Sequence, residues 1–166
     1  GHFDNFELMA MYIENYGIDL AVIYRPLNNI FLNPIMENIR KKYICKRQIK
    51  KGISGTKELL KYFKLGSSIA LMIDQRVSEG IKCEFFGKEA LTTTIPAQFV
   101  KKFNCKIVPI YIERTKTNNF KLKIYKPLDF TKDDTIKTIT SSLNSILEKM
   151  IVKNPSQWIW THNRWK

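Results

Sequence analysis

Residues 56–73 read TKELLKYFKLGSSIALMI, a helical pattern that runs directly into an apolar segment. Ser54 is a suitable N-cap for the helix, and Gly66 is placed to end it. The apolar residues 68–73 are typical of a strand that is buried on both faces of a parallel sheet. The stretch therefore predicts a helix followed by a buried strand, as in α/β folds.

Helical and strand patterns alternate in the rest of the chain as well. The 166 residues, of which 44% are hydrophobic, are enough to bury one core. We therefore predict an α/β fold with a mostly parallel central sheet flanked by helices, in one domain of residues 1–166. The other predicted elements are a helix over residues 4–17, a strand over 21–24, a helix over 33–43, a polar loop over 74–94, a helix over 96–103, strands over 106–112 and 120–125, and a helix over about 133–152.

Positive charge dominates the composition. The formal net charge is +13, and seven of the twelve residues from 40 to 51 (RKKYICKRQIKK) are Lys or Arg with no acid among them. Such a run favours an anionic partner, which could be nucleic acid, an anionic membrane surface or an acidic carrier protein. The chain has no zinc, RNP or helix-turn-helix signature, so we do not expect nucleic acid to be the partner.

The cysteines and the hydrophobic runs argue against three further classes of protein: disulfide-rich, zinc-binding and membrane-spanning. Cys45, Cys83 and Cys105 are widely spaced and odd in number, which argues against a disulfide framework or a zinc site, and we expect no metal. No apolar run reaches the roughly 18 residues of a transmembrane helix. The chain begins at Gly1 without Met, and we interpret it as a fragment whose preceding segment is missing.

The opening GHFDNFE places His2 and Glu7 five residues apart, at a predicted junction between a loop and a helix. At such a junction Glu7 can accept a hydrogen bond from one ring nitrogen while the other takes a proton from a hydroxyl. The alternative is structural, because Asp4 and Glu7 also fit a capping box and His2 could be an unstructured end. Spacing leaves both interpretations open.

Polar residues also follow two of the predicted strands. Tyr24 ends the strand over 21–24 and Arg25 follows it, and Arg25 could bind a phosphate or carboxylate through two hydrogen bonds. Asp74 and Gln75 follow the strand over 68–73 in the same way. We expect Arg25 and Asp74 to lie at one edge of the sheet, although a solvated arginine and a loop cap are the simpler alternatives.

Taken together, these motifs resemble the late lipid A acyltransferases of bacteria, which add lauroyl or myristoyl chains. GHFDNFE is similar to the His-x4-Glu variant of the glycerolipid acyltransferase motif, and the likeness extends over essentially all 166 residues. The other matching segments are YRPLNN, MIDQ, FFGKEALTTTIPAQF, IVPIYIER and PSQWIWTHNRWK. The chain departs from the family pattern at three positions, Asp4, Phe6 and Asn163, where Gly, Trp and Arg are usual.

The resemblance implies a catalytic domain that lacks its amino-terminal membrane anchor. The expected reaction moves a fatty acyl chain from acyl carrier protein to a hydroxyl of a lipid A precursor, without a cofactor, at the cytoplasmic face of the inner membrane. It implies His2 and Glu7 as the catalytic pair. The implied substrate-binding residues are Phe3, Asn5, Tyr24, Arg25, Asp74 and Gln75. The alternatives are an acyltransferase for another membrane lipid and a basic nucleic-acid-binding domain.

Overall fold

The structure is a computed structural model that describes residues 1–116 and 119–166. The chain forms two compact units, one of Gly1–Phe6 with Met72–Lys166 and the other of Glu7–Leu71. Helices and strands occur in both, which confirms the predicted α/β class. The helices are α1 (Glu7–Asn15), α2 (Leu32–Ile39), α3 (Ile53–Lys64), α4 (Ile95–Phe103) and α5 (Ile136–Lys153). The strands are β1 (Leu20–Tyr24), β2 (Arg47–Lys50), β3 (Ser68–Ala70), β4 (Ile81–Phe85), β5 (Lys88–Thr92), β6 (Ile110–Arg114) and β7 (Phe120–Ile124).

The unit Glu7–Leu71 is built on a three-stranded parallel sheet in the order β2-β1-β3. The central strand β1 pairs Ala21 with Arg47 on one side and with Ile69 on the other. Helices α1 and α3 pack on this sheet. The buried apolar residues of the unit are Met9, Ile13, Leu20, Ala21, Tyr24, Cys45, Ile49 and Leu59.

Three details of this unit differ from the sequence prediction. The sequence predicts no strand at β2, which reads RQIK, because only Ile49 of its four residues is apolar. Helix α3 begins at Ile53, with Gly52 at the N-cap position, so the prediction of Ser54 as the cap is wrong. Strand β3 covers three residues and is only half-buried, whereas a longer, buried strand was expected.

Antiparallel hairpins form the strands of the other unit. The pair β4–β5 occupies part of the predicted polar loop, and β6 pairs with β7. Phe86 and Gly87 connect β4 to β5 with φ of 51° and 71°, the positive values of a two-residue type I′ turn. The buried apolar residues of this unit are Phe3, Cys83, Phe85, Ala90, Ala97, Val100, Tyr111, Ile112, Ile139, Leu143, Leu147, Met150, Ile151 and Trp158.

A buried polar cluster fastens α5 and the end of the chain to the β4–β5 hairpin. The hydroxyl oxygen of Thr92 accepts hydrogen bonds from Asn144 Nδ2 at 3.1 Å and from Arg164 Nη2 at 2.6 Å. Arg164 also donates to the carbonyl of Leu91 at 2.5 Å. All three side chains of the cluster are almost fully buried, so each polar contact replaces one with water.

None of the helices in the described parts of the chain is long and apolar enough to cross a bilayer.

Candidate active site

His2 is held in place by pairing between the start and the end of the chain. Phe3 forms an antiparallel bridge with Trp158, and the backbone N–H of Ile159 donates to the carbonyl of His2 at 3.0 Å. The Phe3 ring is fully buried and packs edge-on against Tyr111, with centroids 4.9 Å apart. These contacts fix the backbone on both sides of the His2 ring.

The His2 side chain is hydrogen-bonded to a buried carboxylate, that of Asp74. Nδ1 of His2 lies 2.7 Å from Oδ1 of Asp74. The backbone N–H of His2 donates to Oδ2 at 2.5 Å, and Trp158 Nε1 donates to the same oxygen at 2.9 Å. Both oxygens of the carboxylate are therefore occupied, and two of the three donors come from His2.

The environment of Asp74 keeps its carboxyl ionised. Burial by itself raises the pKa of this carboxyl. The hydrogen bonds that the carboxylate accepts from the side chain and the backbone N–H of His2 act in the opposite direction and lower this pKa. Since an ionised carboxylate only accepts hydrogen bonds, the hydrogen of a neutral His2 ring lies on Nδ1.

The other ring nitrogen of His2 is then left with a free lone pair. The amide Nε2 of Gln75 lies 3.4 Å from this atom, a long contact that an incoming hydroxyl could replace. The side chain of His2 is 18% exposed, so part of the ring is accessible from solvent. Phe6 packs edge-on against the ring, with centroids 4.7 Å apart, and limits its rotation.

The loop that carries Asp74 and Gln75 is fixed at its next residue as well. The backbone N–H of Arg76 donates to His162 Nε2 at 3.0 Å. Asp74 follows β3 by four residues, so its position depends on these side-chain bonds rather than on a strand. A neutral histidine whose second nitrogen is oriented by a carboxylate can act as a general base.

In the unit Glu7–Leu71, Glu7 pairs with Arg40. Its Oε1 accepts from Arg40 Nε at 2.8 Å and from Nη2 at 2.6 Å. The guanidinium of Arg40 also lies 5.9 Å from the centre of the Tyr24 ring. The pair connects α1 to the π-helical turn Arg40–Ile44 that follows α2.

Tyr24 and Glu37 form a second polar cluster in this unit. Oε1 of Glu37 accepts from Asn33 at 2.6 Å and lies 3.2 Å from Lys50 Nζ. Burial, together with the hydrogen bond to Glu37, raises the pKa of Tyr24. The hydrogen bond from Tyr24, with those from Asn33 and Lys50, lowers the pKa of Glu37 to about 2. Arg25, directly after Tyr24, is exposed.

The structure brings together three of the predicted site residues, His2, Asp74 and Gln75. Glu7 and Arg25 belong to the other compact unit. The pairing of His2 with Glu7, and the placement of Arg25 and Asp74 at one edge, therefore remain predictions. Substrate contacts of Phe3, Asn5 and Tyr24 also remain predictions. Phe3 and Tyr24 are buried, and Asn5 is half-buried.

Two residues at these sites were not predicted. Trp158 donates to Asp74 from 84 residues away, and Arg40 binds Glu7 across 33 residues. A tryptophan near the chain end gives no sign of its partner, and Arg40 is one of seven cations in a basic run. Only the fold identifies them.

The family model described as "Bacterial lipid A biosynthesis acyltransferase" matches residues 1–166, the whole sequence. A search of curated proteins found no match.

Proposed function

Because this chain belongs to the bacterial lipid A biosynthesis acyltransferase family, we propose that His2 is the general base that activates the hydroxyl of its lipid A precursor. Membership of the family makes the chain an acyltransferase of lipid A and lipopolysaccharide biosynthesis. The finer points of donor, acceptor hydroxyl and location are part of the proposal. The donor is a lauroyl or myristoyl chain held as a thioester on acyl carrier protein, and the acceptor is a hydroxyl of an acyl chain on the precursor.

The reaction begins when Nε2 of His2 takes the proton of the acceptor hydroxyl. The oxygen attacks the thioester carbonyl, which forms the new C–O bond. Collapse of the tetrahedral intermediate breaks the C–S bond, and the proton passes from the imidazolium to the departing thiolate. The products are an ester and a free thiol on the carrier, so no proton is gained or lost.

The observation that carries this proposal is the 2.7 Å contact between His2 Nδ1 and the buried carboxylate of Asp74. A negative charge at this position stabilises the imidazolium that forms as the hydroxyl loses its proton. Gln75 gives up its long contact with Nε2 when the hydroxyl arrives. Glu7, predicted from sequence as the orienting carboxylate, is the second candidate for that role.

The net charge of +13 supports acidic partners. Acyl carrier protein and the phosphates of lipid A are both anionic, so attraction would raise the rate of encounter with either. We propose the cytoplasmic face of the inner membrane as the location, because donor and precursor would meet there. Arg25, exposed at the end of β1, is the proposed contact for an anionic group of the acceptor.

The test is mass spectrometry of lipid A from cells that contain the protein, cells that lack it and cells with the His2→Ala variant. We expect the mass of one added acyl chain with the wild type and none with the variant. The donor is identified separately, by comparing acyl carrier protein with coenzyme A carrying the same chain. Unchanged lipid A together with a new chain on a glycerophospholipid would contradict the assignment of the acceptor.

A further inference from the structure

Helix α2 presents an apolar face to solvent. Leu32 is 51% exposed, Ile35 56% and Ile39 43%, and the residue before the helix, Phe31, is 80% exposed. The spacing of three and four residues places the three helical positions on one side. Ile30 and Tyr43, at either end, are exposed as well. A continuous apolar surface of this kind marks a binding surface more often than a scatter of single residues does.

The opposite side of the same helix is polar and is already bonded within the unit. Asn33 donates to Glu37, Glu37 binds Lys50, and Arg40 binds Glu7. The polarity of α2 is thus the reverse of that of an ordinary surface helix, whose apolar stripe faces the core. The side chains of Asn33 and Glu37 make their polar contacts within the unit. The exposed apolar residues of the helix are therefore available to an external partner.

Positive charge lies at the carboxyl-terminal end of this apolar face. Between residues 27 and 50 the only acid is Glu37, which is bonded to Lys50 and Asn33. Lys41 and Lys42, in the π-helical turn Arg40–Ile44 after the helix, are exposed. Apolar side chains next to unneutralised lysines match the composition of helices that lie in the interface of an anionic bilayer.

We propose that α2 and the turn after it are a membrane-docking surface that lies flat in the headgroup region of an anionic bilayer. Leu32, Ile35 and Ile39 enter the upper acyl-chain region, and Lys41 and Lys42 meet lipid phosphates. An acidic carrier protein would match the lysines, but it offers less for a row of large apolar side chains. A bilayer matches both features. Eight residues are far too few to cross it, so the helix lies along the surface.

The experiment measures binding of the protein to vesicles of phosphatidylglycerol mixed with phosphatidylcholine, and to vesicles of phosphatidylcholine alone. The double variant Ile35→Ser and Ile39→Ser is compared with a matched control, Ile124→Ser and Val152→Ser. The control residues are at least as exposed as Ile39 but lie on β7 and α5. We expect the α2 variant to lose at least roughly tenfold in affinity for the anionic vesicles and the control to change less than about twofold.

A second pair of variants tests the charge. Lys41→Gln with Lys42→Gln is compared with Lys57→Gln with Lys61→Gln, which removes the same charge from the exposed face of α3. We expect about a fivefold loss for each lysine of the first pair and a smaller loss for the second. Equal losses would mean that only the net charge attracts the vesicles, and the proposed surface would be rejected.

Two further outcomes would overturn the proposal. The first is unchanged vesicle binding by the α2 variant with weakened binding of acyl carrier protein, which would assign the face to the carrier. The second is unchanged vesicle binding with a shift from dimer to monomer in sedimentation, which would assign it to a second copy. Urea unfolding of each variant confirms that the fold is intact. The assay contains no acyl donor, so its result is independent of the proposed reaction.

Discussion

At the scale of single residues, Asp74 and Glu7 are both candidates for the carboxylate that orients the His2 imidazole. Asp74 is hydrogen-bonded to His2, whereas Glu7, which the sequence predicts as the partner, is bonded to Arg40. The sequence predicts His2 as a site residue from a motif, and Asp74 and Gln75 from their position at the end of an apolar run. It does not assign Asp74 to His2, because the two residues are 72 positions apart and no periodicity in the sequence specifies the contact.

A matched pair of substitutions separates the two carboxylates. In the proposed mechanism Asp74→Asn removes the charge that stabilises the imidazolium, and we expect turnover to fall at least roughly a hundredfold with little change in KM. Combined with His2→Ala, it should be scarcely worse than His2→Ala alone, because two groups that act as a unit are not additive. The measurement is the rate of acyl transfer by folded variants.

Glu7→Gln makes the same chemical change at the other carboxylate. If Glu7 orients His2, this variant shows the hundredfold loss and the non-additivity, and Asp74→Asn does not. That result would return the orienting role to Glu7 and leave Asp74 as a buried anchor for the backbone of His2 and for Trp158.

At the scale of elements, apolar periodicity predicted the long helices and failed for the charged strands. In strand β4 the exposed Lys82 and Glu84 alternate with the buried Cys83 and Phe85. The charged residues nevertheless made the sequence favour a loop here. The pairing of β4 with β5 depends on the positive φ of Phe86, a residue type that rarely adopts it. The sequence predicts helix α2, but it does not predict that the apolar face of this helix is exposed. That orientation depends on polar contacts such as the one between Glu37 and Lys50.

The packing of α3 on β2 gives a prediction at this scale. Alanine usually stabilises a helix relative to glycine by about 1 kcal/mol. At Gly55, however, an added Cβ would overlap the carbonyl oxygen of Lys50 and lie 3.0 Å from its carbon. We therefore expect Gly55→Ala to lower the free energy of unfolding by about 2 kcal/mol or more, as measured in urea.

The neighbouring Ser54→Ala is the control for that substitution. Ser54 is exposed on the same helix turn, and its replacement should change stability by less than about 0.5 kcal/mol. Equal stability of the two variants would mean that β2 and α3 have room for a methyl group between them.

At the scale of the whole molecule, net charge sets the range of partners but not the reaction. A charge of +13 is equally compatible with nucleic acid, lipid and an acidic protein. The class of reaction became clear only from the ordered set of motifs and from the family match over residues 1–166. Charge then affects how fast and at what salt concentration the partners meet.

Salt dependence is the corresponding prediction. Binding of acyl carrier protein should weaken about tenfold between low salt and roughly 0.5 M salt, because exposed charges are screened over distances of several ångströms. An oligonucleotide of similar charge, measured by fluorescence anisotropy, should bind more weakly than the carrier at every salt concentration. Tight oligonucleotide binding with a steep salt slope and no acyl transfer would favour the nucleic-acid alternative.

The two hydrogen bonds from His2 to Asp74 close a ring that joins the main chain and the imidazole of one residue through a single carboxylate. This hydrogen-bonded loop fixes both side-chain torsions of His2. The entropy cost of ordering the imidazole therefore falls in folding and not in each catalytic cycle. In the proposed reaction the imidazole would receive and release its proton without swinging away. Successive turnovers would then start from the same geometry, with no rotameric search between them.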